Sequence, residues 1–523
     1  MKKERLWLLL FAIVFSLLTL VPYLFMQAGA PSGSVFLYTM GNNYDQASYQ
    51  AWIKQAEEGK IFAGSNYTTE PQSGLFFNPF FYLCGNYVKL TGLNMLPAYQ
   101  LIRMLLVVAL VLMLYKFSEI FLSGFKERFF FTVLTSFSGG FGFLIPNAGL
   151  KHLQEVFNIV SLDLWVPESN IFITCLQKPL FMAALILMLL VFYFLLKGFV
   201  SLKKSSFFAA AGALFLLGLT HPYDLATVYG ALTVYLFWSK ADRKRWYYFL
   251  GAAVLSSPAL IYEYMLNIYD PFFREWGKTV TLSSTIYSYL LGYGFVLLAA
   301  LAYMVKRWNK FSRPELFLLS WVFSHLIMAY MPVRFERRLL LGLAVPLCLL
   351  AALWFYKYFI PFMQKNSFAA KKILPVAAIL LIVPSNIRYV YEEYKYFVKY
   401  SNNYCLPAGD YKAFSWMDKN VKRDSVIFAF YSSGVYMPGL TGCKVYAGHY
   451  DQTLDAVRKK KETGVFFETR TPDTFRVELL AKSKAEYLYF GSFEKHIGDP
   501  GFDLKSYLSK VYDKDGVKIY KVK

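Results

Sequence analysis

Charge is scarce in this chain. Asp, Glu, Lys and Arg make up 17% of its 523 residues, hydrophobic residues make up 56%, and the mean hydropathy is +0.37. That balance excludes an ordinary soluble domain, and the length excludes a single core. Cysteine is scarce too: Cys84, Cys175, Cys348, Cys405 and Cys443 show neither a CxxC pair nor zinc-type spacing. Cys405 and Cys443 share the C-terminal stretch and are candidates to pair, which spacing alone does not decide. There is no nucleic-acid-binding motif and no clear internal repeat.

What is present is a series of apolar runs. About eleven are long enough, at roughly 17 to 25 residues, to be read as helices crossing a ~30 Å hydrocarbon layer, a few of them on the short side. They lie near 6–26, 99–115, 129–146, 179–196, 206–219, 223–238, 246–266, 286–305, 316–330, 339–356 and 373–387. The first follows Lys2, Lys3 and Arg5, and the weak cleavage-like AGAPSG after it favours a retained helix over a signal peptide.

Orientation follows from the basic residues. With the N-terminus inside, the segments 1–5, 116–128, 197–204, 239–245, 306–314 and 357–372 hold 21 Lys and Arg against 4 Asp and Glu. Such asymmetry marks cytoplasmic loops. The net charge of +21 therefore reports topology and contact with membrane lipids, not nucleic acid. Eleven spans then place the segments 27–98, 147–178 and 267–285, and everything after about residue 390, outside the cytoplasm. The expected architecture is a polytopic α-helical membrane protein, N-in and C-out, with a membrane domain over 1–390 and a small external α/β domain over 391–523.

In that tail, DYKAFSWMDKNV reads as an amphipathic helix and SVIFAFYSS as a buried strand. LDAVRKKKETGVFF reads as a helix ending near Gly464, and TPDTFRVELLAKS as one opened by a Thr or Asp cap. AEYLYFG is a strand, and KVYDKDGVKIYKV is a hairpin turning at Asp-Gly.

The candidate chemistry lies in the external segments. In GNNYDQASYQAWIKQAEEGK, Asp45, beside Tyr44, is either a general base or the N-cap of the helix that follows. Ala47, Trp52 and Ala56 of that helix are available to lie against the membrane interface. Further on, NYTTEPQSGLFFNPFFYL carries Glu70, a second acid, a metal ligand or a solvated carboxylate, together with Asn78 and the glycosylation-type triplet Asn66-Tyr67-Thr68. Glu168 of WVPES is placed to line a cavity or to complement a helix dipole. His221 and Asp224 of THPYD sit at the end of a helical hairpin, where ionisable residues mark function or a capped turn. Arg334, Arg337 and Arg338 of RFERR run against the charge trend and suit phosphate oxygens, unless they snorkel or pair with Glu336.

Together these segments resemble the GT-C superfamily of integral-membrane glycosyltransferases. It includes protein O-mannosyltransferases, the lipid A aminoarabinose transferase and oligosaccharyltransferase catalytic subunits. More narrowly, YDQASYQAWIKQAEEG, TTEPQ, VPES, THPYD, RFERR and VYAGHYDQT resemble a bacterial branch of it. The resemblance implies transfer of a sugar from a polyprenyl-phosphate lipid donor to a glycan, lipid or protein acceptor on the external face. It gives Asp45 the role of an external-loop Asp that acts as base or positions the acceptor, and Arg337 or Arg338 the donor phosphate; Glu70 stands beside Asp45 as a candidate catalytic acid on its residue type. Tyr44, Glu168, His221 and Asp224 are expected in the substrate cavity. Asp45-Gln46 replaces the Asp-Glu pair of the mannosyltransferases, and no DxD appears in 147–178, so a divalent metal is left open. Two other classes fit many spans: a transporter or lipid flippase, and an assembly protein whose tail binds a partner through His449, Asp451 and Thr453.

Overall fold

The computed structural model describes residues 2–364 and 370–523. Each of the eleven apolar runs falls on a helix. Among the described residues, seven helical stretches are long and apolar enough to cross a membrane: Lys3–Ala28, Met95–Ser118, Pro179–Ser201, Arg243–Tyr269, Tyr287–Lys306, Glu336–Gln364 and Ile373–Lys399. The other four runs form shorter helices, Phe125–Ser136, Lys204–Thr220, Tyr223–Trp238 and Arg313–Met328. The run near 129–146 shows why length was overread. Its second half, FSGGFGFLIP, is apolar, but glycine and proline stop the helix at Ser136. Part of the basic segment 357–372 lies outside the described residues.

Two compact units emerge from packing. The first comprises Met1–Pro22, Ile102–Glu263 and Val280–Lys395; the second comprises Tyr23–Leu101, Tyr264–Thr279 and Tyr396–Lys523. A boundary near residue 390 follows composition, whereas these units follow contacts, so much of the 27–98 segment folds with the tail.

The first unit is a helical assembly. A close crossing lies at Gly140 and Gly294, where the 139–142 turn meets helix Tyr287–Lys306. Phe141 N donates to the Leu291 carbonyl at 2.7 Å. The helix breaks there at Gly294, whose φ of 46° and ψ of −124° suit glycine and little else. Arg103, fully buried, donates to Thr19 Oγ1 at 2.9 Å and to the Cys175 carbonyl at 2.8 Å.

The second unit holds both sheets. β1 (Ser34–Phe36) pairs antiparallel with β2 (Cys405–Pro407), joining residues more than 350 positions apart. The larger sheet contains β3 (Val426–Phe428), β4 (Lys444–Val445), β5 (Tyr487–Phe490), β6 (Leu508–Lys514) and β7 (Val517–Val522), in the order β4-β3-β5-β7-β6. β3 runs parallel to β4 and β5, and β7 runs antiparallel to β5 and β6. Asp515 and Gly516 make the β6–β7 turn with φ of 50° and 77°, the two left-handed residues that a two-residue hairpin of right-handed twist needs. One side of the core combines Leu37, Ala51, Tyr67 and Leu96 with Phe414, Ile427, Val445 and Ile519.

Three local expectations change. Helix Ala456–Phe467 runs past Gly464, because Phe466 and Phe467 bury themselves in the tail core. Helix Asp473–Ser483 has Pro472 at its N-cap, with no side-chain capping bond. All five cysteines are free thiols and buried, Cys405 in β2 and Cys443 just before β4.

A second close crossing joins Gly434 and Gly448. A Cβ on Gly434 would run into the Ala447 carbonyl oxygen, and one on Gly448 into the carbonyl of Gly434. Backbone cannot yield as a flexible side chain does. Gly434→Ala is therefore expected to cost about 2 kcal/mol, read as a lowered midpoint of chemical unfolding followed by tyrosine and tryptophan fluorescence.

Candidate active site

In the second unit the site is built on helix Asn43–Glu57. Asn42, not Asp45, is its N-cap, accepting from Asp45 N at 3.4 Å. Asp45 stands in the first turn, where the positive end of the helix dipole favours a carboxylate. Buried Gln46 anchors the turn by donating to the Met40 carbonyl at 2.5 Å. Ala47, Trp52 and Ala56 do not form a membrane-facing stripe. They are buried, and Trp52 is ringed by Phe76, Phe81 and Trp276 at centroid distances of 4.9, 5.0 and 5.4 Å. The apolar face that looked interfacial in sequence is core because the 76–81 aromatics close over it.

His449 meets the same turn. Its ring packs edge-on against half-exposed Tyr44 at 5.9 Å and against buried Tyr67 at 5.4 Å. Burial drives its pKa down, while the charges of Asp45 and Asp451 pull it back up. Asp45 and His449 thus act on each other electrostatically.

Glu70 is a partly exposed, ion-paired carboxylate. It lies 2.6 Å from the ammonium of fully buried Lys459 and also accepts from Thr68. Burial opposes its ionisation, yet the Lys459 and Thr68 hydrogen bonds prevail and hold its pKa below the usual carboxylate range. The neighbouring main chain is tied to the tail as well: Val445 N donates to the Asn66 carbonyl at 2.8 Å and Thr453 Oγ1 to the Tyr67 carbonyl at 2.9 Å. Asn66 is buried with its amide donating to the Gly442 carbonyl at 3.3 Å, so the glycosylation-type triplet does not present an open acceptor. Asn78 caps helix Pro79–Thr91. Lys459 escaped sequence reasoning because it sits in the basic run RKKK. Its signal was position: Ala456, Lys459, Thr463 and Phe466 repeat at helical spacing along the buried face.

The other candidates fall in the first unit. His221 Nδ1 lies 3.0 Å from Asp224 Oδ2, and both side chains are buried. Asp224 occupies the first turn of Tyr223–Trp238 rather than capping it; Pro222 holds the cap position. The charge of Glu168 reaches Asp224, and its Oε1 lies 3.6 Å from Arg337 Nε. Asn170 caps the helix Glu168 was thought to complement. Arg338 donates to Tyr223 Oη at 2.9 Å and lies over that ring at 4.9 Å. Arg334 is exposed. Glu336 accepts from Ser283 N at 3.0 Å. Structure thus brings Glu168, His221, Asp224, Arg337 and Arg338 into one polar cluster, and Tyr44 and Asp45 into another with His449. Among the described residues no three His, Cys, Asp or Glu side chains converge as a metal-ligand set.

Comparison with solved structures places this architecture. Over 98% of the chain and 97% of the other, it superposes on ArnT from Cupriavidus metallidurans bound to undecaprenyl phosphate, with a TM-score of 0.55 and 11% identity. It has the GT-C fold. The Archaeoglobus fulgidus oligosaccharyltransferase tethered to an acceptor peptide matches with a TM-score of 0.52 and 14% identity, over 99% of this chain and 74% of that one. The mycobacterial arabinofuranosyltransferase AftD matches with a TM-score of 0.56 and 15% identity, over 99% of this chain but 40% of its own length. No family model and no curated protein matches the sequence.

The Glu70–Lys459 pair makes a checkable pH dependence. A carboxyl whose folded pKa lies below its ordinary 4.5 adds stability that is present above that value and lost as pH falls through the folded pKa. Glu70→Gln is expected to flatten the acid limb of stability below about pH 4.5. Lys459→Met is expected to cost about 2 kcal/mol, less than a fully buried pair because solvent reaches Glu70; thermal unfolding across a pH series measures both.

Proposed function

We propose that this chain is a multi-pass cell-membrane glycosyltransferase that moves a sugar from a polyprenyl-phosphate-linked donor to an acceptor on the extracytoplasmic face. The observation that carries the reading is the GT-C fold over nearly the full chain. Support comes from the side chains. Asp45 is ionisable, stands in a helix's first turn and is partly open to solvent.

In the reaction the acceptor's oxygen or nitrogen attacks the anomeric carbon while Asp45 takes its proton. The bond from that carbon to the phosphate oxygen breaks, and the polyprenyl phosphate leaves with the electron pair. Arg337 and Arg338 supply fixed positive charge for that phosphate, since a guanidinium does not lose its proton. Arg334, exposed beside them, adds long-range attraction. Glu168 orients Arg337, Tyr223 orients Arg338, and the His221–Asp224 pair lines the same polar cluster. Tyr44 offers an aromatic edge beside Asp45 for a sugar or acceptor. Glu70 keeps its segment seated on the tail through Lys459.

Asp45→Asn keeps the size of the side chain and removes the base. In nanodiscs with polyprenyl-phosphate-linked sugars as donor, turnover followed by mass spectrometry is expected to fall roughly 10²–10⁴-fold, and undiminished transfer would remove Asp45 as the base. For Arg337→Ala, donor binding is expected to weaken roughly tenfold; unchanged donor affinity would count against the phosphate role.

A further inference from the structure

We infer that helix Asn147–Phe157 lies in the plane of the membrane surface, with its apolar face set among the acyl chains of the bilayer. Residues of a helix turn by about 100° each. That turn brings Leu150, Leu153, Val156 and Phe157 to one side of this helix, and Asn147, Lys151, His152 and Glu155 to the other. A face so cleanly divided ordinarily packs on a core. Here no residue of the helix is buried, and Val156 and Phe157 are 58% and 57% exposed.

The surroundings name what covers that face. Both ends of the helix are fastened where apolar runs meet water. At its start, Arg388 of the stretch Ile373–Lys399, just past the apolar run 373–387, donates to the carbonyls of Gly142 and Ile145 and to Asn147 Oδ1. Just beyond its end, Thr285 Oγ1 donates to the Asn158 carbonyl at 3.3 Å, and Val160 N donates to Ser288 Oγ at 2.9 Å, in the first turn of Tyr287–Lys306. The helix therefore bridges the ends of two spans, the level at which amphipathic helices lie on a bilayer. Next to it is an apolar cavity of about 330 Å³, lined by Leu144, Leu153, Ile159, Tyr287 and Leu290 among others. Tyr287 and Leu290 also begin an exposed apolar stripe that continues through Leu298, Leu301 and Val305 along one side of the span. On a helix that crosses a membrane, such a stripe meets lipid. One apolar surface thus continues from the span through the cavity to Leu153, and the acyl chains that cover the stripe cover the helix face. Charge is not the attraction. Lys151 Nζ lies 3.6 Å from Glu155 Oε1, so the polar face presents a paired charge rather than a basic patch.

The test uses the full chain in phosphatidylcholine vesicles, with Lys151→Cys, Glu155→Cys, Val156→Cys and Phe157→Cys each carrying a nitroxide. The five native thiols are buried, and the unsubstituted protein gives their background. Oxygen partitions into hydrocarbon and a nickel chelate stays in water, so their relative collision rates with the nitroxide read its side of the interface. At Val156 and Phe157 oxygen collisions are expected to exceed nickel collisions several-fold, with the reverse order at Lys151 and Glu155. Nickel access at all four positions puts the helix in water, and shielding of Val156 and Phe157 from both reagents puts a second protein surface over them; either result overturns the inference. Phosphatidylglycerol added in equal part is expected to leave the ratios unchanged, and lipid contact that appears only in its presence overturns the apolar account. Thermal unfolding identifies any labelled variant that fails to fold. Phe157→Trp, which keeps an aromatic ring, then stands in: brominated lipid is expected to quench its added emission, and unquenched emission overturns the inference.

Discussion

An ammonium group enclosed by protein needs an anion. Lys459 has no exposed surface, and its partner Glu70 lies 389 residues earlier in the chain. That pair, with the main-chain bonds at Asn66 and Tyr67, fastens the 59–78 stretch to the tail. Removing Glu70 leaves the Lys459 ammonium buried without that anion, which the interior accommodates poorly. Much else depends on this union: β1 needs β2, the core packs Tyr67 beside Ile427, and the loop bearing His449 is pinned to the Tyr67 carbonyl.

For the proposed chemistry, the union turns a loop into a scaffold. Loops that carry reacting groups are effective when rigid elements hold them. Here helix Asn43–Glu57 is capped by Asn42, backed by Trp52 among three aromatic rings and crossed closely at Gly85 by helix Pro79–Thr91. Asp45 therefore sits on a braced turn. In the first unit, Glu168 lies beside Arg337 and Tyr223 accepts from Arg338.

The sequence was most informative where one physical signal dominates. Hydropathy located helical segments in the apolar runs, seven of them long enough to cross a membrane among the described residues, but it could not see that glycine and proline cut the run after Ser136. In the tail, the Asp515–Gly516 hairpin and strand Tyr487–Phe490 were legible from turn chemistry and alternation. The pairing of β1 with β2 was not, since three-residue strands so far apart carry no register signal. Within the candidate sites, residue type pointed to Asp45, His221, Asp224 and the arginines. Their partners were hidden: the Tyr223 ring under Arg338 carries no sequence signal, and Lys459 was masked by its basic neighbours.

Central to this account is that the 27–98 segment and the tail fold as one unit presenting Asp45. Native-state hydrogen exchange in rising denaturant, read by mass spectrometry on peptides covering 43–57 and 426–428, tests it directly. The account predicts that both sets of amides converge on one opening free energy. Exchange of 43–57 through a separate, lower-energy opening while the β3 amides stay protected would contradict it.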